Sequence, residues 1–285
     1  MCSFWGVLFL VSYAFAAPFN GTEVPFVEPE VLEQLLKNGE FEEFSKLMGI
    51  ENVNLVIPRE GNEDPMYHKE LPLGDVLVRK NQLEEGRVVI NFDKYPGSKW
   101  PNGVVPYRIA SDGYTAEQRN TIQNAINDFN AKNTGARFVP RRRQRDYVMI
   151  FSGEGCYAVL GRTGNQQPLS LQSNGCVYKT TVQHEMMHAL GFHHEQCRPD
   201  RDDSVRVLWD NIPPEWHSQY EKLNPDDFKT TTDYDYYSIM HYGMNAPGTG
   251  KRAFEILKPG IDENRIGNSG SMTDLDIQKI RNSYA

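Results

Sequence analysis

His184, Glu185, His188, Gly191 and His194 stand close enough in the chain to build a single metal site. On a helix His184 and His188 are one turn apart on the same face, about 6 Å along the axis, so both imidazoles can reach one cation. Glu185 leaves that helix beside His184 and can reach a water on the cation without being a ligand. A helix continued to His194 would carry this third ring about 15 Å past His184 and about 280° around the axis. Gly191 removes the difficulty: lacking a Cβ, it can turn left-handed, end the helix and send His194 back to the metal. His193 competes with His194 for the third place, and spacing does not choose between them. Three neutral imidazoles leave one position of a tetrahedral zinc open, the arrangement hydrolysis needs, with Glu185 as general base. A developing oxyanion would want a further donor such as a tyrosine hydroxyl, but spacing does not select one of 14 tyrosines. His68 and His217, in leader and loop sequence, read as ordinary histidines.

Positioning these groups takes a helix that starts near Thr180 or Thr181. Ahead of it, Thr115 and Gln118 form a capping box for another helix with Ile122, Ala125, Ile126 and Phe129 on one face. Val104–Ile109, Arg137–Val139, Tyr147–Phe151 and Tyr157–Arg162 read as strands of a small mixed sheet packed on helices. Residues 210–235, rich in Pro, Asn, Asp and aromatics, predict loops with one short helix. Thr273 with Asp276 caps a last helix that turns Leu275, Ile277, Ile280 and Tyr284 inward. Residues 20–87 are acidic and punctuated by proline; apart from a helix starting at Pro29 they suit a segment lying against something else better than an independent domain.

The chain opens with an apolar run too short to span a bilayer, followed by Ala14 and Ala16 in a small-x-small arrangement. Residues 1–16 are therefore expected to be a signal peptide, and the product secreted with no membrane anchor. Removing Cys2 with that leader leaves Cys156, Cys176 and Cys197. The first two bound a Gly-, Gln- and Ser-rich segment that suits a short bridged loop in an oxidising compartment. Cys197 is left odd: a buried thiol, or one open to covalent pairing with a second molecule in an otherwise monomeric protein. Asn20 heads a glycosylation sequon. A net charge of −8 excludes nucleic acid as the main partner, and Arg141, Arg142, Arg143 and Arg145 read as a solvated loop.

The run His184-Glu185-Met186-Met187-His188-Ala189-Leu190-Gly191-Phe192-His193-His194-Glu195, with Arg198, Asp200, Arg201 and Asp202 after it and Tyr237-Ser238-Ile239-Met240-His241-Tyr242 downstream, resembles the astacin family of zinc endopeptidases within the metzincins. The likeness extends from about Trp100 to the end. It implies an α+β, metzincin (zincin-like) fold: an N-terminal subdomain with a mixed sheet and two long helices, an irregular C-terminal subdomain with a terminal helix, and an active-site cleft between them. It implies one zinc on His184, His188 and His194, Glu185 as general base, and Met240 in a methionine turn beneath the site. Tyr242 would be a switchable tyrosine, ligating zinc at rest and stabilising the intermediate. Glu195 would pair with the N-terminal amine of the mature enzyme. The strand around Tyr157 would take extended protein or peptide substrates in antiparallel fashion.

In that family a propeptide aspartate blocks the zinc within a Gly-Asp motif, and Gly74-Asp75 matches it, so Asp75 is the expected zymogen ligand. The resemblance thus divides the chain into residues 1–16 as signal, 17–87 as propeptide and 88–285 as peptidase. An activating protease would cut at Arg87-Val88, or as late as residue 90. The family's usual second disulfide is missing at both ends, Gly135 standing at one position and Tyr284-Ala285 closing the other. A catalytically silent binding or structural protein of the same fold is the alternative; it would be favoured by damage at Glu185 or Tyr242, and both are intact.

Overall fold

The computed structural model describes residues 74–77 and 91–285. The expected signal peptide, the sequon at Asn20, His68 and the Arg87-Val88 junction lie outside them. Among the described residues eight strands and three α-helices follow in order: β1 (Val76–Leu77), β2 (Val104–Ile109), α1 (Ala116–Ala131), β3 (Arg137–Pro140), β4 (Tyr147–Phe151), β5 (Cys156–Val159), β6 (Gln166–Leu171), α2 (Lys179–Leu190), β7 (Val205–Val207), β8 (Phe254–Ile256) and α3 (Asp274–Tyr284). The first six strands form one mixed sheet, ordered β1-β5-β6-β4-β2-β3, in which only β5 and β6 run antiparallel. This is the α+β metzincin-like architecture.

The capping boxes at Thr115 and Thr273 start α1 and α3. Ile122, Ala125, Ile126 and Phe129 of α1 are buried against Phe138 of β3, whose ring meets Phe129 edge-on at 5.5 Å. Val182, Met186, Met187, Ala189 and Leu190 of α2 enter the same core, so the helix expected to hold the metal is anchored along its other faces. It begins at Lys179 rather than Thr180, with no side-chain cap. Cys156 and Cys176 are disulfide-bonded with Cα atoms 5.7 Å apart.

Two expectations are corrected. The polar segment between the cysteines is not only loop: it contains β6, a fully buried strand between β5 and β4. Two of its polar side chains are satisfied by turns, Gln167 Nε2 donating to Gly161 O at 2.7 Å and Ser170 Oγ to Gly155 O at 2.8 Å, which hides the strand from a hydrophobic pattern. The strand expected over Tyr157–Arg162 ends at Val159. Residues 210–235 hold two 3-10 segments, Trp209–Asn211 at their start and Pro214–Tyr220.

The missing second disulfide is replaced by close packing. Gly135 abuts the C-terminal backbone so tightly that a Cβ there would fall 2.8 Å from Ala285 N. Tyr284 then donates its hydroxyl to Leu190 O at 2.8 Å, its ring meets Phe92 at 5.5 Å, and Arg281 Nη2 donates to Lys132 O at 3.0 Å.

Candidate metal centre

The last turn of α2 builds the site. Gly191 is left-handed at φ 102°; its N–H donates to His188 O at 2.8 Å and that of Phe192 to Met187 O at 3.0 Å. This is the paired closure of a Schellman end, which a β-carbon at Gly191 would strain. The reversed chain brings His194 back beside the helix: its ring centroid lies 5.4 Å from that of His184 and 4.8 Å from that of His188. The turn also orients a ligand, since His188 Nδ1–H donates to Phe192 O at 2.7 Å.

His184 is oriented from the other side of the cleft, its Nδ1–H donating to Ile239 O at 2.6 Å. Ile239 is held in turn by Asp276 of α3. That carboxylate accepts from Ser238 Oγ at 2.5 Å and from the N–H groups of Ile239 and Thr273 at 3.1 Å each. Ser238 Oγ also accepts from Met240 N at 3.0 Å, and Met240 O accepts from Glu195 N at 2.9 Å. Met240 is therefore the buried floor of a turn tied to both α3 and the segment after His194.

Into this set comes Asp75, wholly buried just ahead of β1. Its Oδ2 lies 3.0 Å from His184 Nε2, and its Oδ1 3.3 Å from His188 Nε2 and 2.8 Å from His194 Nε2. One ligand atom from each of Asp75, His184, His188 and His194 lies within 4.8 Å of the others. Because His184 and His188 spend their Nδ1 protons on backbone carbonyls, their Nε2 lone pairs point at carboxylate lone pairs. That arrangement is repulsive unless a proton or a metal ion sits between them. His188 Nε2, His194 Nε2 and Asp75 Oδ1 are buried with no hydrogen-bond partner. Three nitrogens and an oxygen suit zinc, so the residues fit the ion.

The electrostatics agree. Burial pushes the Asp75 carboxyl up, but the imidazoles of His194, His184 and His188 outweigh it and hold the group well below the usual carboxylate range. The three rings do not respond alike. Burial pushes His188 down to about 4 and lowers His194, whereas for His184 the Asp75 charge and hydrogen bond overcome burial and raise it. Burial thus opposes charging His188 and His194, and neutral rings are what a metal requires. Glu185 is wholly buried next to His184, and neither of its oxygens has a hydrogen-bond partner. Burial, and then the Asp75 charge, push its carboxyl well above the usual range.

Other expected residues fall differently. His193 is not at the surface: it is 5% exposed, and its Nδ1 accepts the His194 N–H at 2.7 Å. His193, His194 and Cys197 make a second close trio, but it shares His194, and the His193 ring is engaged in bracing that residue. Cys197 is 1% exposed, donates its thiol to Gln219 O at 3.2 Å and is pushed up to about 12 by burial. An available thiol for pairing between molecules is not what the fold presents. The Tyr242 hydroxyl donates to Gln219 Oε1 at 3.1 Å, with its ring against that of His194 at 4.6 Å. Glu195 already accepts from Lys279 Nζ at 2.6 Å, Asp235 N at 2.8 Å and Arg198 Nη1 at 2.9 Å. Gln219, Ile239 and Phe192 carried no signal in the sequence, and Asp276 showed only as part of a helix cap.

Comparison with known proteins agrees with this geometry. Residues 92–285 match the family model for Astacin, a peptidase family. Zinc metalloproteinase nas-4 of Caenorhabditis elegans is 39% identical over 218 residues, 74% of this chain and 68% of that protein. Low choriolytic enzyme of Oryzias latipes is 34% identical over 254 residues, covering 87% of this chain and 89% of the relative. Among solved structures, high choriolytic enzyme 1 of Oryzias latipes, a hatching enzyme zinc-protease, superposes with a TM-score of 0.57 at 40% identity, over 65% of this chain and 92% of that one. With the matched region containing all three histidines of the cluster, the chain belongs to the astacin family and is a zinc metalloendopeptidase.

Proposed function

We propose that the full chain is the zymogen of a secreted endopeptidase in which Asp75 closes the metal centre, and that cutting near Arg87-Val88, or as late as residue 90, releases it. The observation that carries this reading is the Asp75 carboxylate lying within 3.3 Å of Nε2 of all three histidines. Residues 1–16 act as signal, 17–87 as propeptide and 88–285 as the peptidase, with Asn20 the glycosylation site. Secretion is supported by the Cys156–Cys176 disulfide and by the likeness to a hatching enzyme. Among the described residues no helix is long and apolar enough to cross a membrane.

With Asp75 withdrawn, His184, His188 and His194 would hold zinc, which would supply Lewis acidity toward a water and a peptide carbonyl. Glu185, freed of the neighbouring Asp75 charge, takes a proton from the attacking water and returns it to the departing amine. Tyr242 turns its hydroxyl toward the carbonyl oxygen as negative charge develops there. The substrate, an extended protein segment, pairs with the β5 edge that β1 now covers.

The test is chelator-sensitive cleavage of a denatured protein. It should be absent from the intact chain, appear after trimming at residues 87–90, and disappear in Glu185→Ala. Cleavage that persists in Glu185→Ala would overturn the assigned base, and an intact chain as active as the trimmed one would overturn the zymogen.

A further inference from the structure

Gln219 lies on the 3-10 segment Pro214–Tyr220, is 1% exposed, and belongs to neither the metal cluster nor the catalytic pair. Both ends of this residue are engaged. Its carbonyl accepts the Cys197 thiol at 3.2 Å, and the next carbonyl, that of Tyr220, accepts from Arg201 Nη1. The backbone is thus fixed from the segment that follows His194. Its side-chain Oε1 accepts the Tyr242 hydroxyl at 3.1 Å. The ring of Tyr242 is flanked by those of His194 at 4.6 Å and Tyr220 at 5.7 Å, so the hydroxyl's partner decides where the phenol rests.

The same side chain touches the pro-segment. Gly74, at φ +74°, passes so close that a Cβ there would lie 3.0 Å from Gln219 Oε1 and would collide with the Tyr242 hydroxyl. Asp75 in the cluster and Tyr242 on Gln219 are therefore two halves of one arrangement. An amide oxygen can only accept, so the phenol it holds is a protonated donor.

We propose that Gln219 is a positioning residue that parks the Tyr242 hydroxyl away from the metal centre, favouring entry of Asp75 and competing with any approach of the phenol to the metal. The proposal rests on the reading of Tyr242 given above. It also gives Cys197 a place, as the donor that fixes the Gln219 backbone.

The test uses the full-length chain carrying Asp75→Ala, which opens the centre without cleavage, loaded with Cu2+, whose charge-transfer absorption reports phenolate ligation. Gln219→Met keeps the length and removes the acceptor; Gln219→Glu supplies a stronger one. The band should rise in Gln219→Met and fall in Gln219→Glu, a reversal of sign that general loosening would not give. A peptide of residues 71–78, added to the Zn2+-loaded enzyme trimmed at residues 87–90, should bind about fivefold more weakly when Gln219→Met is present, the value of one neutral hydrogen bond. Circular dichroism identifies which variants are folded. Equal bands in folded parent, Gln219→Met and Gln219→Glu, or unchanged peptide affinity, would overturn the proposal. A band that survives Tyr242→Phe would instead remove the assumption that Tyr242 reaches the metal.

Discussion

Asp276→Ala should weaken zinc binding although the carboxylate touches no ligand. Asp276 is wholly buried and accepts from Ser238 Oγ, Ile239 N and Thr273 N, while Ile239 O holds the Nδ1–H of His184 at 2.6 Å. Removing the carboxylate leaves buried donors facing an apolar methyl, a loss of about 2–4 kcal/mol in stability given the worth of charge-assisted bonds. In a domain of this size that lowers Tm by roughly 4–16 °C. Freeing Ile239 loosens a carbonyl that fixes a ligand's tautomer and aim, which typically costs about 10–100-fold in metal affinity, or about 1.4–2.7 kcal/mol. Asp276→Asn can keep an acceptor oxygen for Ile239 N and Thr273 N while turning an amide N–H2 toward Ser238 Oγ, so it should lose the Ser238 bond but less zinc affinity than Asp276→Ala. Zinc affinity by competition with a chelator, and thermal unfolding of the zinc-free protein, separate the two effects. A variant with the expected fall in Tm and unaltered zinc affinity would refute the link from Asp276 through Ile239 to His184.

Tyr284→Phe removes the hydroxyl donated to Leu190 O at the C-terminal end. A loss of about 1 kcal/mol is expected in chemical denaturation, and an unchanged midpoint would show that the bond adds nothing to C-terminal docking. Cys197, buried and pushed up to about 12, should resist alkylation in the native protein and react fully in denaturant; rapid native labelling would contradict the buried thiol. Burial opposes ionisation of Glu195, but Lys279 and then Arg198 hold its carboxyl below the ordinary value of 4.5. Its folded value is depressed, so the stability it contributes is present above the unfolded value and is lost as pH falls through the folded one. Lys279→Met removes the largest lowering influence, so Tm should begin to fall at a higher pH than in the parent, and coincident acid profiles would exclude Lys279 as the partner that matters.

Helices were legible in the sequence because their signals are local. Thr115 and Thr273 announce their helices by side chains three residues apart, and His184 and His188 share a face by spacing alone. The site was legible where one residue type has one geometric use, as with Gly191. It was not legible where contacts come from irregular chain: Phe192 and Ile239 act through backbone carbonyls, which no side-chain identity encodes. β6 was hidden for a related reason, since Gln167 and Ser170 are buried yet satisfied by turns distant in sequence. Spacing left His193 open beside His194, because its part in accepting the His194 N–H is a local backbone contact that spacing does not encode.

The β5 edge explains how so short a described contact seats Asp75 in the metal cluster. β1 pairs with β5 in parallel, Val76 opposite Ala158 and Leu77 opposite Val159, and both of its side chains are at most 2% exposed. Fully burying two such side chains contributes about 3–6 kcal/mol, before any contribution from Asp75 and its ligand partners. The same edge, uncovered, offers unpaired backbone groups and an apolar lining to any extended segment, which is the mode of binding an endopeptidase needs. Inhibition and substrate binding would then draw on one surface. Weakening β1 by Leu77→Ala, in a chain whose β5 is untouched, should raise activity of the uncut protein while leaving KM of the trimmed enzyme unchanged. An uncut Leu77→Ala chain no more active than the uncut parent would refute the competition between β1 and substrate for this edge.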